Sequence, residues 1–304
     1  MTATVLDPSV VAKAYRDEVR RDVAALTVDG RPLRIRGLLA QQTGPAATYA
    51  RYAQRGCRSV GIELDVLHVE VDQVAPAIAA ANLDPEIDGI FLYYPFLDRA
   101  EDRWLRELVD PRKDVEGLHS FWSRLLYENQ RFVDEDRTAR AILPCTPLAI
   151  LKLLQHAGMR SSAGPAPLEG VTACIFNRSD LVGRPLAAML ANDGARVHSL
   201  DVTGTLDFEP AIGRRAHDVR ESTVDRTEAL AAADVVISAV PSASFELVRG
   251  DEIKAGAICV DVAEFTNFDA SVAERASVFV PRVGPLTIAM ATRNLARLVR
   301  MRRG

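Results

Sequence analysis

Cysteine, lysine and long apolar runs are scarce in this 304-residue chain, and each scarcity closes a class of function. The four cysteines, Cys57, Cys145, Cys174 and Cys259, are far apart and show no paired spacing for zinc or dithiol chemistry. A reduced, cytoplasmic protein is therefore expected, with Cys174 and Cys259 acting as small apolar residues in buried strands. The five histidines are scattered, so no metal centre is expected. No apolar run approaches the ~20 residues of a membrane span. The opening residues MTATVLDPSVVAKAYRDEV lack the basic-then-apolar layout of a signal peptide. A net charge of −4 leaves no basic surplus for nucleic acid or an anionic membrane. Lysine occurs only at Lys13, Lys113, Lys152 and Lys254, which limits the amines open to acid–base chemistry.

With 48% hydrophobic residues the chain can bury a large core, and its length suits two domains. The spacing predicts a helix from Pro8 to about Leu26, capped by Asp7. A βα alternation follows: strand Leu33–Ala40, helix Ala46–Gly61, strand Ile62–Val69, helix Val74–Asn82, strand Gly89–Tyr94 and helix Asp102–Val109. That order predicts a parallel sheet flanked by helices. Pro144–Gly158 reads as a helix with Pro147 in its first turn, where proline is tolerated. Met159–Pro167 reads as a linker. Thr203–Thr227 is polar and without clean periodicity, and is expected to be a long excursion before a short helix at Glu228–Ala233. Strands are predicted at Val235–Ala239, Ala257–Val262 and Val278–Val280. A closing helix, Thr287–Arg300, carries the apolar stripe Ile288, Ala291, Leu295, Leu298 and Val299, suited to packing back on the first domain.

The most informative stretch is VTACIFNRSDLVGRPLAAMLANDGARVHSLD, Val171 to Asp201. Val171–Phe176 suits a strand covered on both faces. Asn177-Arg178-Ser179 make a turn, Leu181-Val182-Gly183-Arg184-Pro185 open a helix, and Ala195–Leu200 form the next strand, ending at Asp201. A helix N-terminus beside such a turn offers N–H groups to a pyrophosphate. The glycine fingerprint is degenerate: only Gly183 survives, though Asn177 tolerates the left-handed conformation. An ordinary βαβ unit has the same outline. A carboxylate at Asp201 suits the ribose hydroxyls of NAD and repels the 2′-phosphate of NADP. Two alternatives stay open: Asp201 as a plain strand-end residue, and Arg178 as a partner for a 2′-phosphate.

Several segments together resemble the methylenetetrahydrofolate dehydrogenase/cyclohydrolase family. They are Tyr49 followed by GCRSVGI, then DGIFLYYP, KDVEGL, LPCTPLAILKLL, NRSDLVGRPLAAML and GPLTIAM, in family order over roughly residues 35–300. The resemblance implies an oxidoreductase of one-carbon metabolism. It also implies a three-layer α/β domain that binds folate and carries catalysis (1–147, with 286–304 packing back on it) and a Rossmann domain for NAD (148–285). Folate would lie against the nicotinamide in a cleft, and a homodimer is expected. By the same resemblance Tyr49 packs on the folate ring, Glu116 bonds the pterin edge, and Tyr93, Tyr94, Pro281, Gly284 and Pro285 line the substrate site. Tyr49, Glu116 and Cys145 are the catalytic candidates. Asn177, Arg178, Ser179, Val182, Gly183, Asp201, Val202, Ala239 and Val240 are those for the cofactor.

Departures from the family pattern are informative. The lysine that follows the tyrosine by four residues in bifunctional members is Ala53 here. The family glutamine before the LP pair is Tyr93, the aspartate of KDVDG is Glu116, and the last loop shortens to Pro281-Arg282-Val283-Gly284. These changes resemble the monofunctional, NAD-dependent members. Hydride transfer needs alignment and little proton movement, whereas hydrolysis of the methenyl product needs a positioned base. Arg51 and Arg55 flank the site in sequence but stay protonated. Plain alternatives remain: a salt bridge from Glu116 to Lys113, a structural thiol at Cys145, retention of both activities or of NADP, and a non-catalytic folate- or nucleotide-binding regulator.

Overall fold

A computed structural model describes residues 2–27, 30–159, 161–211 and 217–303, with Arg99 described by its backbone alone. The chain divides into two compact α/β units. One comprises Met1–Val11, Leu126–Gln130 and Thr146–Leu286; the other comprises Ala12–Leu125, Arg131–Cys145 and Thr287–Gly304.

The first strand, β1 (Thr4–Val5), precedes α1 (Pro8–Leu26), whose start is fixed by the Ser9 N–H donating to Asp7 Oδ1 at 2.9 Å. Then come β2 (Leu33–Leu39), α2 (Pro45–Arg58), β3 (Ile62–His68), α3 (Val74–Leu83), β4 (Gly89–Tyr93), α4 (Arg99–Leu108) and α5 (Ser120–Tyr127). The three strands pair in parallel in the order β3-β2-β4. Alternation along β4 divides its side chains between the two faces. Ile90 and Leu92 join Leu38, Ile78 and Leu105 in a core under α3 and α4. On the opposite face Gly89 admits Leu295 and Val115, whose methyls would lie 2.8 and 2.5 Å from any added Cβ. Gly56 of α2 similarly lies against Ile288, 2.5 Å from where a Cβ would stand. The closing helix α10 (Gly284–Arg303) thus covers this sheet with its predicted apolar stripe and completes a three-layer sandwich.

The other unit is built on one eight-stranded sheet. Its elements are α6 (Cys145–His156), β5 (Thr172–Phe176), α7 (Gly183–Asn192), β6 (Arg196–Asp201), β7 (Gly204–Pro210), β8 (His217–Ser222), α8 (Arg226–Ala232), β9 (Val235–Ser238), β10 (Ile258–Asp261), α9 (Val272–Arg275) and β11 (Val278–Val280). Strand order is β1-β11-β10-β9-β5-β6-β7-β8, with all pairings parallel except β6–β7 and β7–β8. Cys174 and Cys259 are fully buried in a core with Phe176, Val236, Leu230 and Phe268. The chain leaves β5 for β6 on one side and later returns to β9 on the other. The carboxyl ends of β5 and β9 therefore form a switch point, where doubly wound sheets bind ligands.

One expectation is corrected here. Thr203–Thr227 is not a plain excursion: β7 pairs antiparallel with β6 and β8 with β7, so a hairpin extends the sheet. Residues 212–216, within that stretch, lie outside the described residues, as does Arg160 of the predicted linker. The hairpin escaped notice because TLDFEP and HDVRES place few large apolar side chains, and register comes from pairing to β6. Pairing also explains β1, too short to be read alone, which lies beside β11.

Candidate functional site

In the three-stranded unit, α2 and β4 bring aromatic rings together. Tyr49 stands edge-on to Phe91 and to Tyr93, with centroids 6.1 Å away in both cases, and Phe91 stacks on Tyr93 at 4.7 Å. Tyr93 can lie flat there because residue 37 is glycine; a Cβ at Gly37 would come within 2.9 Å of the Tyr93 ring. Tyr94 takes the other face of β4, edge-on to Phe96 at 5.8 Å. The two tyrosines of the LYYP segment thus belong to different layers.

Glu116 reaches this cluster along the outer edge of β4, where Asp114 bridges Ile90 in parallel. A turn built on Asp114 puts it there: the Asp114 carboxylate accepts the N–H groups of Glu116, Gly117, Leu118 and His119 at 2.8–3.0 Å. Gly117 has φ +70°, and a Cβ on it would strike the Leu143 carbonyl carbon at 2.7 Å, so this turn requires glycine. Glu116 Oε2 accepts the Leu92 N–H at 3.0 Å. Burial pushes the Glu116 carboxyl up to about 8, against the lowering by that hydrogen bond. The Lys113 salt bridge does not form: Lys113 Nζ donates instead to the Ala81 and Asp84 carbonyls.

Cys145 lies at the start of α6, buried, its Sγ donating to the Val115 carbonyl at 3.2 Å. Asn294 of α10 places Nδ2 3.0 Å from the Val115 and Leu143 carbonyls and 3.4 Å from that sulfur. Burial, with Glu116 and Asp114 nearby, raises the thiol well above its ordinary value. It stays a thiol, which favours a structural role over a nucleophilic one. Burial likewise raises the Tyr49 phenol well above its usual value, so Tyr49 offers a ring and a neutral hydroxyl, not a base. Ala53 lies buried one turn beyond Tyr49 on α2. Arg51 and Arg55 occupy the exposed side of that helix, on Thr48 and over the Tyr52 ring. Sequence reasoning missed Asp114 and Asn294. A lone amide amid the apolar α10 stripe was the available signal for Asn294.

The Tyr93 hydroxyl is buried and has no hydrogen-bond partner among the described residues. Tyr93→Phe is therefore expected to stabilise the protein by about 1 kcal/mol, read as a higher urea midpoint. A lower midpoint would show that the hydroxyl is satisfied in solution.

In the eight-stranded unit, the β5–α7 turn has the predicted form. Asn177 adopts φ +77°, and its Nδ2 donates to the Ala239 carbonyl at 2.5 Å, tying together the diverging ends of β5 and β9. Gly183 starts α7 against that turn; a Cβ on it would stand 1.8 Å from the Asn177 carbonyl oxygen. Ser179 Oγ accepts the Val182 N–H at 3.3 Å. Asp201 Oδ2 accepts the Arg178 main-chain N–H at 2.7 Å. Val240 is anchored by a residue sequence reasoning missed: buried Asn267 accepts its N–H at 3.1 Å and the Ser238 hydroxyl at 2.7 Å. Val202 is fully exposed at the β6–β7 turn. Pro281, Gly284 and Pro285 belong to this same unit, between β11 and the first turn of α10.

Both parts of the chain that carry these residues match models of one known family. The model of the tetrahydrofolate dehydrogenase/cyclohydrolase catalytic domain fits residues 6–116, and that of its NAD(P)-binding domain fits residues 144–303. The chain belongs to the tetrahydrofolate dehydrogenase/cyclohydrolase family. It is 39% identical over 267 residues to methylenetetrahydrofolate dehydrogenase [NAD(+)] of Schizosaccharomyces pombe, covering 86% of this chain and 83% of that protein. With the Saccharomyces cerevisiae protein of the same name it shares 37% over 303 residues, covering 96% and 94%. The solved structure of the NAD-dependent 5,10-methylenetetrahydrofolate dehydrogenase from S. cerevisiae superposes with a TM-score of 0.94 at 35% identity, covering 100% of this chain and 99% of that one. Within the family, the β5–α7 turn falls in the matched NAD(P)-binding domain, and the Tyr49–Glu116 cluster in the matched catalytic domain.

Among the described residues no helix is long and apolar enough to cross a membrane, and no cluster of His, Cys, Asp or Glu is placed to hold a metal ion.

Proposed function

We propose that this protein oxidises 5,10-methylenetetrahydrofolate to the 5,10-methenyl form with NAD⁺ as hydride acceptor, and that it does not hydrolyse the product. The observation that carries this reading is the pairing, in one chain, of a Tyr49–Glu116 cluster with a nucleotide-type turn ending at Asp201. Similarity to enzymes named for that reaction across nearly the full length supports it.

The residues at the switch point fit NAD. Gly183 leaves the turn no room for a side chain, Asn177 holds the left-handed corner, and the Asp201 carboxylate is held beside the turn at the end of β6. When bound there, NAD⁺ supplies the electrophilic ring carbon that accepts the hydride. The chain's own part is placement. The N-terminal turn of α7 would face the pyrophosphate, together with Ser179, Val182 and Gly183. Asp201 would accept the ribose hydroxyls, while Val202, Ala239 and Val240 would border the nucleotide. In the other unit Tyr49 would present its face to the folate ring beside Tyr93, and Glu116 would accept N–H donors from the pterin edge. Tyr94, Pro281, Gly284 and Pro285 are assigned to the substrate side by family resemblance. Residues 1–147 with 286–304 are read as the folate domain and 148–285 as the NAD domain, except that Met1–Val11 and Leu126–Gln130 fold with the eight-stranded unit.

Absence of hydrolysis follows from Ala53. A methyl group occupies the helix position one turn from Tyr49, and the neighbouring Tyr49 and Cys145 hold their protons tightly. Among the described residues no amine is placed beside Tyr49 to activate water. The reading also takes the protein as a cytoplasmic homodimer, checked by sedimentation equilibrium.

The deciding experiment is spectrophotometric. Initial rates with methylenetetrahydrofolate should show NADH formation and a clear preference for NAD⁺ over NADP⁺. Added methenyltetrahydrofolate should decay no faster than in buffer. Preference for NADP⁺ overturns the cofactor reading, accelerated decay overturns the monofunctional one, and absence of any reduced nicotinamide points to a non-catalytic binding protein.

A further inference from the structure

We propose that Arg178 is a positioning residue for cofactor choice: it locks the β6–β7 turn that carries Asp201, and its guanidinium is thereby withheld from a 2′-phosphate. The proposal rests on the NAD reading above and deepens it.

By sequence alone Arg178 is an ambiguous neighbour of the ribose site, since a guanidinium is well matched to phosphate. The hairpin resolves the ambiguity. Arg178 Nη1 donates to the Ser199 carbonyl at 2.8 Å and the Gly204 carbonyl at 3.2 Å. Nη2 donates to Thr203 Oγ1 at 2.8 Å and again to the Gly204 carbonyl at 3.1 Å. Meanwhile the Arg178 main-chain N–H donates to Asp201 Oδ2, and the Thr203 hydroxyl reaches Asp201 Oδ1 at 3.5 Å. Backbone N–H, carboxylate, threonine hydroxyl and guanidinium therefore close a ring around a tight turn in which Asp201 pairs with Gly204.

Two consequences follow. Pairing with a phosphate would require the terminal nitrogens to give up four contacts with the Ser199 and Gly204 carbonyls and the Thr203 hydroxyl. And both oxygens of Asp201 are held from the protein side, which fixes where the carboxylate sits before any nucleotide arrives. NAD selectivity is then built twice, by a negative charge that repels the extra phosphate and by a nearby positive charge committed elsewhere. The committing partner is the β6–β7 turn.

Titration calorimetry of NAD⁺ and NADP⁺ on wild type, Arg178→Ala, Arg178→Lys, Asp201→Ser and the Asp201→Ser/Arg178→Ala pair tests this. Arg178→Ala should weaken NAD⁺ binding by about tenfold, the scale of a lost charge-assisted hydrogen bond. Arg178→Lys should not restore it, because a point ammonium cannot span the same three acceptors. Steady-state rates should show the loss in KM for NAD⁺ with kcat and the folate KM unchanged. The decisive comparison is the pair: adding Arg178→Ala to Asp201→Ser should leave NADP⁺ affinity within about twofold. If Asp201→Ser instead gains strong NADP⁺ binding that Arg178→Ala then abolishes, the guanidinium is free to serve a phosphate and the proposal is overturned. It is also overturned if Arg178→Ala binds NAD⁺ as wild type does. Should Arg178→Ala not fold, Thr203→Val removes one partner of the ring and is expected to weaken NAD⁺ in the same direction; an unchanged affinity counts against the lock. Tighter binding of NADP⁺ than NAD⁺ by the wild type would sink the underlying NAD reading instead.

Discussion

Gly183→Ala is expected to weaken NAD⁺ binding by at least about 100-fold, the scale of a reacting or binding group displaced by an ångström, while leaving folate binding intact. The added methyl would stand 1.8 Å from the Asn177 carbonyl oxygen and 2.9 Å from its carbon. Both are backbone atoms, and Asn177 cannot retreat, because its N–H bonds the Leu200 carbonyl and its side chain the Ala239 carbonyl. The first turn of α7 must move instead, taking with it the N–H groups that would face the pyrophosphate. Overpacking of this kind destabilises by about 1–3 kcal/mol, so the variant should still fold at low temperature. Calorimetric titration with NAD⁺, beside a folate titration on the same sample, reads the result. Unchanged NAD⁺ affinity would remove the turn from the nucleotide site.

Glu116→Gln is expected to change two quantities in opposite directions. Above about pH 8, where the carboxylate has formed, substrate affinity should fall by about 10–100-fold, since hydrogen bonds to a charged group contribute about 1.5–3 kcal/mol. The loss should appear mainly in KM. Stability should rise at neutral pH. Folding lifts this carboxyl from its ordinary 4.5 to about 8 because burial penalises the charge. The native state therefore binds the proton more tightly than the unfolded chain, and stability declines as pH climbs from about 4.5 to about 8. Glutamine carries no charge and can still accept the Leu92 N–H, so that part of the decline should vanish. Urea midpoints at pH 5 and pH 8 measure it. Substrate affinity of the wild type should improve as pH rises through about 8, where the carboxylate forms, and the glutamine variant should lack that dependence. An identical pH slope of stability in both proteins would show that Glu116 is solvated in the native state.

Much of the architecture was legible because its signals are local. The left-handed Asn177, the helix opening at Gly183, the Asp7 cap on α1 and Pro147 inside α6 all follow from the conformational preferences of single residues. The apolar stripe of α10 marked a covered face, and Gly56 and Gly89 are where that face seats. Strands β7 and β8 were not legible: their residues carry no strict apolar alternation, and the ladder to β6 defines them. Asn267 and Asp114 were hidden for a related reason. Each is polar, short and unremarkable in sequence, and acquires its role only by being enclosed with several backbone groups to satisfy.

By itself the sequence determined the two α/β units, the nucleotide-type turn, the carboxylate at the end of β6 and the missing amine at Ala53. These depend on residue identity and short-range spacing, which no packing can alter. Tertiary structure alone decided which partners those groups take. It sent Lys113 to the carbonyls of Ala81 and Asp84 instead of to Glu116, split Tyr93 and Tyr94 between two layers, and bound Arg178 into a hairpin absent from any local pattern. The physical reason is that a long polar side chain can satisfy itself in several ways with nearly equal free energy, and only the surrounding fold, by excluding water and supplying particular carbonyls, selects one.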